Sequence, residues 1–311
     1  MGQRSSKHKE PIKHENFIPA DESLFKKEIL DFVRSCGVEA QYDVAGVVPE
    51  YNVDVWVPEF KLAIECNNFY WHCETQITDK SYHQKKLEAC QKGDICLFMI
   101  YEDEWRDKQD LIKDMIKHRV HQVTDTYFAR KLEMRKLTVA ERKEFFTASH
   151  LEGDVNSTVA FGLIDPNGRV VAAQSLRRAF HKRYKEFFEI GRSASRPTCH
   201  VNGWIGKLTK ACFEYAVENG KQGLVTYVDS RVGEGKAYLE AGFEVSNKST
   251  GPRLWWTDFV NKFNRFQFKA DLPNGRNQKQ VVIDAGVVAL WGVSNKLMTM
   301  KKKENIVEIN E

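Results

Sequence analysis

The sequence of 311 residues has no long apolar stretch, and none of its runs approaches the ~18 residues that a membrane-spanning helix needs. The opening residues MGQRSSKHKE are charged and lack an apolar core, so no secretory signal is expected there. The seven cysteines are odd in number and include no C-x-x-C pair. This argues against a disulfide framework and favours a reducing compartment. We therefore expect a cytoplasmic protein with no membrane partner.

Composition is that of a folded protein, with 42% hydrophobic and 29% charged residues and a mean hydropathy of −0.51. These values exclude a mainly disordered chain. At roughly 150 residues per domain, the length predicts about two domains.

The net charge of +4 conceals an asymmetry between the two halves. Residues 1–125 contain 17 Lys and Arg against 23 Asp and Glu, whereas residues 126–311 contain 30 against 20. Carboxylates concentrated in one half suit a divalent-metal site. Lys and Arg in the other half suit a phosphate-rich partner, because they release its condensed counterions.

The hydrophobic pattern of the first half predicts a small α/β layer structure. Its predicted order is a helix from about 21 to 36, strands at 52–57 and 61–66, a helix at 81–91, a strand at 95–101 and a helix at 107–120. In the second half the pattern predicts two strands joined by a Pro-Asn-Gly turn near 166–168, then a helix at 203–220 and a strand at 224–228.

Two carboxylates lie on the neighbouring strands of the predicted hairpin in the first half. Asp54 is in the middle of one strand, and Glu65 ends the next. Adjacent carboxylates repel one another unless a cation lies between them, and their oxygens are ligands that Mg²⁺ accepts alongside water and phosphate. The pattern therefore predicts a magnesium site formed by Asp54 and Glu65, which Mn²⁺ could also occupy.

Histidine and lysine follow these carboxylates along the chain. His72 comes shortly after Glu65, and His83 and Lys86 share one face of the next predicted helix. Histidine can transfer protons near neutral pH, and lysine can stabilise charge on phosphoryl oxygens. Together with the carboxylates, these residue types indicate phosphoryl chemistry.

The run from Asn52 to His72 (NVDVWVPEFKLAIECNNFYWH), with YHQKK at 82–86 and LFMIYEDEW at 97–105, resembles the very short patch repair-like branch of the PD-(D/E)XK nucleases, and phage homing endonucleases of that branch in particular. The resemblance implies a restriction-endonuclease-like fold and metal-dependent cleavage of double-stranded DNA in the host bacterial cytoplasm. It implies the following site: Asp54 and Glu65 as metal ligands, Glu28 as the helix carboxylate, His72 and His83 near the scissile phosphate, and Lys86 as the basic group. The lysine of the family's E-x-K motif is Asn67 here, so Lys85 or Lys86 would supply that charge.

Cysteine and histidine are dense between positions 66 and 96, which raises the alternative of a structural zinc ion. The spacings match no C-x₂₋₄-C pattern. Buried thiols are therefore the favoured interpretation, and His72 and Cys73 are the candidate ligands if zinc is present.

A basic cluster in the second half predicts contacts with DNA. It contains no acidic residue and is interleaved with Phe180 and Tyr184. Basic side chains bind phosphates, and aromatic rings stack on bases or pack within the protein. The predicted DNA-binding residues are Arg177, Arg178, Lys182, Arg183 and Lys185.

The stretch from Ala129 through TYVDSR at 226–231 to YLEAGF at 238–243 resembles the GNAT acyl-CoA N-acyltransferases, and a GNAT-like domain fused to phage nucleases in particular. Gly203-Trp-Ile-Gly206 opens a helix whose N–H groups could hold phosphate, but it lacks the leading Gln or Arg of the family's acyl-CoA loop. The resemblance implies an α+β GNAT-like domain that serves for DNA docking. The expected organisation is a flexible basic tail at 1–14, a nuclease domain at 15–123, the GNAT-like domain at 124–270 and a C-terminal extension at 271–311.

These observations predict a magnesium-dependent DNA endonuclease, an α/β restriction-endonuclease-like domain joined to a basic α+β domain. Two alternatives are left open. One is a GNAT-type acyltransferase with a nucleic-acid-targeting N-terminal domain, and the other is a DNA-binding protein whose nuclease site has decayed, which Asn67 suggests.

Overall fold

The computed structural model describes residues 21–246 and 250–302, so the predicted tail at 1–14 lies outside the described residues. These residues form two compact units, each continued by a distant part of the chain. The first unit comprises 21–32, 39–107 and 252–293, and the second comprises 33–38, 108–246, 250–251 and 294–302.

Eight helices and 16 strands are described in these ranges. Up to residue 136 they are α1 Glu22–Ser35, β1 Gln41–Val48, β2 Tyr51–Val57, β3 Leu62–Asn67, α2 Tyr82–Lys92, β4 Cys96–Tyr101, α3 Glu102–Asp107, α4 Gln109–Arg119, β5 Asp125–Phe128 and β6 Glu133–Lys136. Then follow α5 Val139–Ser149, β7 Val159–Ile164, β8 Val170–Arg178, β9 Phe187–Ser195, β10 Cys199–Asn202, α6 Trp204–Glu218, β11 Gly223–Asp229, α7 Lys236–Glu240, β12 Glu244–Val245, β13 Arg253–Thr257, β14 Lys262–Asn264, α8 Gln278–Asp284, β15 Val288–Gly292 and β16 Asn295–Lys301. The mixed α/β class predicted from the sequence is confirmed.

A four-stranded sheet in the order β1-β2-β3-β4 forms the centre of the first unit. Strands β2 and β3 form the predicted antiparallel hairpin, in which Val55 pairs with Ile64, and β3 and β4 are parallel. Every residue of β3 is buried. The apolar run of β4 is also buried after Cys96, as expected for a strand covered on both faces.

A second sheet in the first unit, in the order β14-β13-β15, comes from residues 252–293. It joins the rest of that unit through a bridge between Cys73 and Leu290, both fully buried, and through the Glu74 N–H, which donates to the Ala289 carbonyl at 2.8 Å. The chain therefore passes from the first unit to the second between residues 107 and 108, and it returns to the first unit between residues 251 and 252. Pairing between residues so distant in sequence leaves no local sequence pattern from which it could be predicted.

A seven-stranded sheet in the order β12-β16-β11-β9-β8-β7-β6 forms the second unit. The predicted turn between β7 and β8 is present, with Gly168 at φ 81° and the N–H groups of Asn167 and Arg169 donating to Asp165. Helix α6 contributes Leu208, Cys212 and Ala216 to the core of this unit. Most pairs in the sheet are antiparallel, but β9 and β11 are parallel.

Candidate functional site

Asp54 and Glu65 lie one position beyond the Val55–Ile64 pair of the β2–β3 hairpin, and both are buried. The Cys66 N–H donates to Asp54 Oδ2 at 2.7 Å, so the Asp54 carboxylate reaches across to β3. Burial raises the pKa of Glu65, and the Asp54 charge raises it further. The hairpin thus brings together the two carboxylates that the sequence placed on neighbouring strands.

Both carboxylates are already paired with lysine. Lys86 Nζ lies 2.5 Å from Glu65 Oε2, and Lys26 Nζ lies 2.8 Å from Asp54 Oδ1. Burial disfavours the charged form of Lys86, but the Glu65 and Asp54 charges and the hydrogen bond to Glu65 together raise the pKa of this ammonium. Of the two candidate lysines on α2, Lys86 contacts Glu65, whereas Lys85 binds Asp79 on the surface. Sequence reasoning missed Lys26, because nothing distinguishes it from the other charged residues of α1.

The two predicted histidines stack on one another, with ring centroids 5.2 Å apart. His83 is 2% exposed, and burial lowers its pKa well below the usual value, with His72 and Lys86 adding to the effect. Neither ring nitrogen of His83 has a hydrogen-bond partner in the part of the chain that the structure describes. His83 is therefore a neutral ring near pH 7 and lacks the second ring proton that an imidazolium would give up as a general acid.

Glu28 and Asn67 occupy positions with different surroundings. Glu28 accepts a hydrogen bond from the Trp105 indole at 2.7 Å, and it is Lys26, not Glu28, that reaches Asp54 from α1. Asn67 is fully buried, and its amide nitrogen and oxygen lack partners within residues 21–246 and 250–302. A buried amide without partners is costly, so Asn67 is a polar group for which the fold supplies no complement.

The donor set around Asp54 and Glu65 does not fit a divalent cation as it stands. Each Asp54 oxygen already accepts one contact, from Lys26 or from the Cys66 N–H, and the Lys26 ammonium would compete with a cation. Among the described residues there is no group of three or more His, Cys, Asp or Glu side chains placed to hold a metal ion. The Cys73 thiol, a candidate zinc ligand, instead lies 3.1 Å from the Tyr70 carbonyl oxygen and 3.0 Å from Thr75 Oγ1. The magnesium site stays a prediction.

The predicted DNA-binding cluster lies at the end of β8 and in the loop that connects it to β9. Arg177 forms an ion pair within the protein, because its guanidinium lies 2.5 Å from the carboxylate of Glu189, a buried residue on β9. Phe180 is 76% exposed. The other four predicted residues are exposed, namely Arg178, Lys182, Arg183 and Lys185.

The parallel strands β9 and β11 pair over only three residues each. Pairing ends where Glu189 meets Val225, although β9 continues to Ser195 and β11 continues to Asp229. On the other side of β9, the register with β8 shifts between Ser175 and Leu176, which marks a β-bulge. A bulge bends its strand and disrupts the ladder locally, so the sheet is open between the carboxyl ends of these two strands.

The Tyr238 side chain of α7 lies where the two strands separate. Its hydroxyl interacts with Ser193 on β9, Thr226 on β11 and Gln174 on β8. Burial raises the pKa of Tyr238 to about 12, so its proton is retained across the neutral range. The Y-x-x-x-G-F pattern drew attention to this tyrosine. Its polar partners were missed, because isolated polar residues inside a strand pattern carry no distinctive signal.

Beyond the end of β9, Gly203 adopts φ 75° and immediately precedes α6. A left-handed conformation is easily reached by glycine, so this residue sets the direction in which the helix begins. Lys207, in the first turns of α6, donates to the carbonyls of Ala129 and Leu132 at 3.0 and 2.7 Å. These two bonds tie the helix start that the sequence singled out to residues 129–132.

A cluster of charged residues that sequence reasoning did not identify surrounds His150, which follows α5. Burial and the nearby Arg192 lower the pKa of His150 to about 4, so the ring is neutral at pH 7. Its Nδ1 accepts a hydrogen bond from the Glu152 N–H at 3.0 Å, and Arg192 binds Glu152 and the Gly153 carbonyl. Because Nδ1 is the acceptor, the neutral ring carries its proton on Nε2 and is a donor there.

No protein-family profile and no curated protein matches the chain. Solved structures similar to part of it are acetyltransferases. One is a Bacillus subtilis acetyltransferase solved with CoA, at 10% identity and a TM-score of 0.35, with 56% of this chain and 100% of that chain covered. A GNAT superfamily phosphinothricin acetyltransferase from Sinorhizobium meliloti, solved with AcCoA, has 14% identity and a TM-score of 0.34, with 55% and 88% covered. A structure described as a streptothricin acetyltransferase from Bacillus anthracis has 10% identity and a TM-score of 0.28, and the chain covers 65% of its length with 48% of its own.

These comparisons correct the prediction that the enzyme is a magnesium-dependent DNA endonuclease. The similar structures named above are acetyltransferases. They give no support to the nuclease domain, the homing-endonuclease resemblance or a phage origin. The pairing of Asp54 and Glu65 with lysine supplies the physical reason, because ammonium groups provide the compensation that was expected from a metal ion. No helix within the described ranges is long and apolar enough to cross a membrane.

Proposed function

We propose that the chain is an acyl-CoA-dependent acyltransferase of the GNAT type, with its first unit as a nucleic-acid-targeting module. The observation that carries the proposal is the opening between β9 and β11 with the Tyr238 hydroxyl set into it. Strand backbone that has lost its neighbour offers N–H and C=O groups. The two amides of a pantetheine arm could pair with those groups as a strand would.

The chemistry assigned to this opening is aminolysis of a thioester. The acceptor nitrogen attacks the carbonyl carbon, an N–C bond forms, and the C–S bond breaks. The nitrogen loses one proton to water, and the CoA sulfur takes one from the Tyr238 hydroxyl, which then recovers a proton from solvent. A hydroxyl whose pKa is about 12 is fully protonated at neutral pH and is thus available as this acid.

The start of α6 is the place proposed for the diphosphate of the donor. Helix N-termini present free N–H groups to phosphate, and at Gly206 an added Cβ would meet no atom within 4 Å, so the surface there is open. The segment lacks the leading Gln or Arg of the GNAT pattern. Backbone groups would therefore make a larger share of the phosphate contacts.

Calorimetric titration of the full chain with acetyl-CoA tests this function. We expect saturable binding that is weakened by enlarging Ser193 to Phe, because the new ring would fill the opening. Ser157→Phe is the matched control, since Ser157 lies in the loop before β7. Absence of acetyl-CoA binding by the folded wild-type chain would contradict the proposal.

A second candidate function, favoured by the exposed basic loop before β9, is binding of double-stranded DNA without cleavage. Arg178, Lys182, Arg183 and Lys185 project cations that could neutralise phosphates, and each phosphate neutralised on B-DNA contributes about −0.9 to the slope of log K against log salt. The quadruple change of these residues to Gln should flatten that slope. Duplex affinity and a slope equal to those of the wild type would contradict this function.

A further inference from the structure

A short segment of the first unit, residues 264–279, combines an exposed aromatic ring with cations that have no acidic partner. Residues 261–279 contain five Lys and Arg but a single acidic residue, Asp271. This contrasts with the acidic sequence of the rest of the unit. Residues 264–270 end the predicted GNAT-like domain and 271–279 begin the predicted C-terminal extension, and the proposed acyl transfer does not involve either range.

The aromatic ring is that of Phe266, which is 45% exposed. Arg265 lies over it with its guanidinium carbon 4.6 Å from the ring centroid, and the Lys269 Nζ lies 5.4 Å from the same centroid. A cation over an aromatic face is attracted to the ring, weakly in water and more strongly when water is excluded. Two positive charges therefore lie next to the ring.

The turn that presents Phe266 is rigidly built. Asn264 Oδ1 accepts from the Phe266 N–H at 3.0 Å, and the Asn264 N–H donates to Gln267 Oε1 at 2.6 Å. Phe268 packs edge-on against Phe263, with ring centroids 5.6 Å apart. These contacts hold the turn in one conformation and leave the Phe266 side chain partly exposed.

The acidic side chains nearby are neutralised within the segment. Arg276 lies 2.5 Å from Asp271 and 3.5 Å from Asp284. In contrast, Arg265, Lys269 and Lys279 form no ion pair with any residue of the described ranges. Lys279 adjoins the turn, because the neighbouring Gln278 donates to the Phe268 carbonyl at 2.9 Å. The electrostatic potential around Phe266 is therefore positive.

We infer that this surface, defined by Arg265, Phe266, Lys269 and Lys279, binds single-stranded nucleic acid. The ring offers a stacking platform for one unpaired base, and the three cations lie where the flanking phosphates would pass. Base stacking on an aromatic side chain does not depend on sequence, and duplex DNA keeps its bases stacked on each other. The charge favours a polyanion, and the exposed ring favours a strand with unpaired bases.

Fluorescence anisotropy with a labelled oligodeoxythymidylate and a duplex of equal length tests the inference on the full chain. Phe266→Leu keeps the apolar bulk but removes the π-face, so we expect it to weaken single-strand binding about 5- to 150-fold. Phe266→Trp should retain binding. Arg265→Gln and Lys269→Gln should each reduce the salt slope by about 0.7, whereas Lys210→Gln, an exposed lysine of α6 in the second unit, should not.

Thermal melting by circular dichroism confirms that each variant is folded. If the folded Phe266→Leu protein binds the single strand as tightly as the wild type, the inference is overturned. It is also overturned if Phe266→Leu weakens binding of the duplex and of the single strand by the same factor. Acetyl-CoA titration of the same variants should be unchanged, so failure here is distinguishable from failure of the acyltransferase proposal.

Discussion

Lys26 on α1 and Asp54 on β2 form a contact of 2.8 Å between ammonium and carboxylate at the carboxylate site of the first unit. Lys86 does the same for Glu65 from α2. The two acidic groups thus face two basic ones, each delivered by a different helix. This arrangement is neutral without any added ion, and Lys26 is the group with which a divalent cation at Asp54 would compete.

The first prediction concerns that competition. Lys26→Met frees Asp54 Oδ1 while keeping the length of the side chain. We expect Mg²⁺ to raise the melting temperature of this variant more than that of the wild type, because the competing ammonium is gone. The control is Lys27→Met, and differential scanning fluorimetry with and without Mg²⁺ or Mn²⁺ is the measurement. If Mg²⁺ changes the melting temperature of Lys26→Met and Lys27→Met by the same amount, Asp54 and Glu65 do not form a cation site.

The second prediction concerns the buried Lys86–Glu65 pair. Lys86→Met leaves Glu65 buried without its cation, and breaking a buried pair in this way costs about 3–5 kcal/mol. Urea unfolding should show that loss, and Lys86→Met combined with Glu65→Gln should recover part of it. Lys85→Met, whose pair with Asp79 is exposed, should change stability by less than about 1 kcal/mol. Similar losses from Lys85→Met and Lys86→Met would show that the buried pair has no special role.

The sequence predicted the Asp54–Glu65 approach because a hairpin fixes which residues face each other, and periodicity placed both strands. It also placed Lys86 and His83 on the face of α2 that lies inward. These are local relationships, in which side-chain direction follows from position within an element.

Other features depend on contacts between distant parts of the chain. The return of residues 252–293 to the first unit depends on pairing such as that between Cys73 and Leu290, which periodicity does not encode. The opening beside Glu189 depends on where two parallel strands cease to pair, and this is set by a bulge and by packing. Tyr238 could be singled out from its motif, but its partners on β8, β9 and β11 could not.

The third prediction concerns pH. Burial raises the pKa of Glu102 from 4.5 to about 7, while the carboxylate accepts hydrogen bonds from the Phe69 N–H and the Asn68 amide. Since the pKa is higher in the folded state, the folded protein holds the extra proton, and this contribution to stability is lost as pH rises from 4.5 to about 7. Glu102→Gln should flatten that part of the curve of unfolding free energy against pH. Glu88→Gln, at an exposed position of α2, should leave it unchanged, and an unaltered slope in Glu102→Gln would contradict the assignment.

The fourth prediction concerns Gly223, the first residue of β11. Its φ is 155°, and an added Cβ would lie 1.9 Å from the Met300 carbonyl oxygen of the neighbouring strand β16. Gly223→Ala must therefore push β16 away, and we expect a loss of about 1–3 kcal/mol, comparable with overpacking. Gly206→Ala is the control, because its Cβ would meet nothing and alanine favours a helix by about 1 kcal/mol. Chemical denaturation that ranks the two substitutions in the opposite order would contradict the strand pairing.

The last prediction separates binding from chemistry at Tyr238. Tyr238→Phe removes only the hydroxyl, and Gln174 keeps its hydrogen bond to Ser193. We therefore expect acetyl-CoA affinity to persist, whereas the rate of acyl transfer falls about 10²- to 10⁴-fold, as for loss of a general acid. Release of CoA thiol, followed with a thiol-reactive dye in the presence of an amine acceptor, measures the rate. Tyr215→Phe, in the same core, is the control and should leave the rate unchanged. A Tyr238→Phe protein that binds acetyl-CoA and transfers the acyl group at the wild-type rate would show that this hydroxyl supports the fold and takes no part in the reaction.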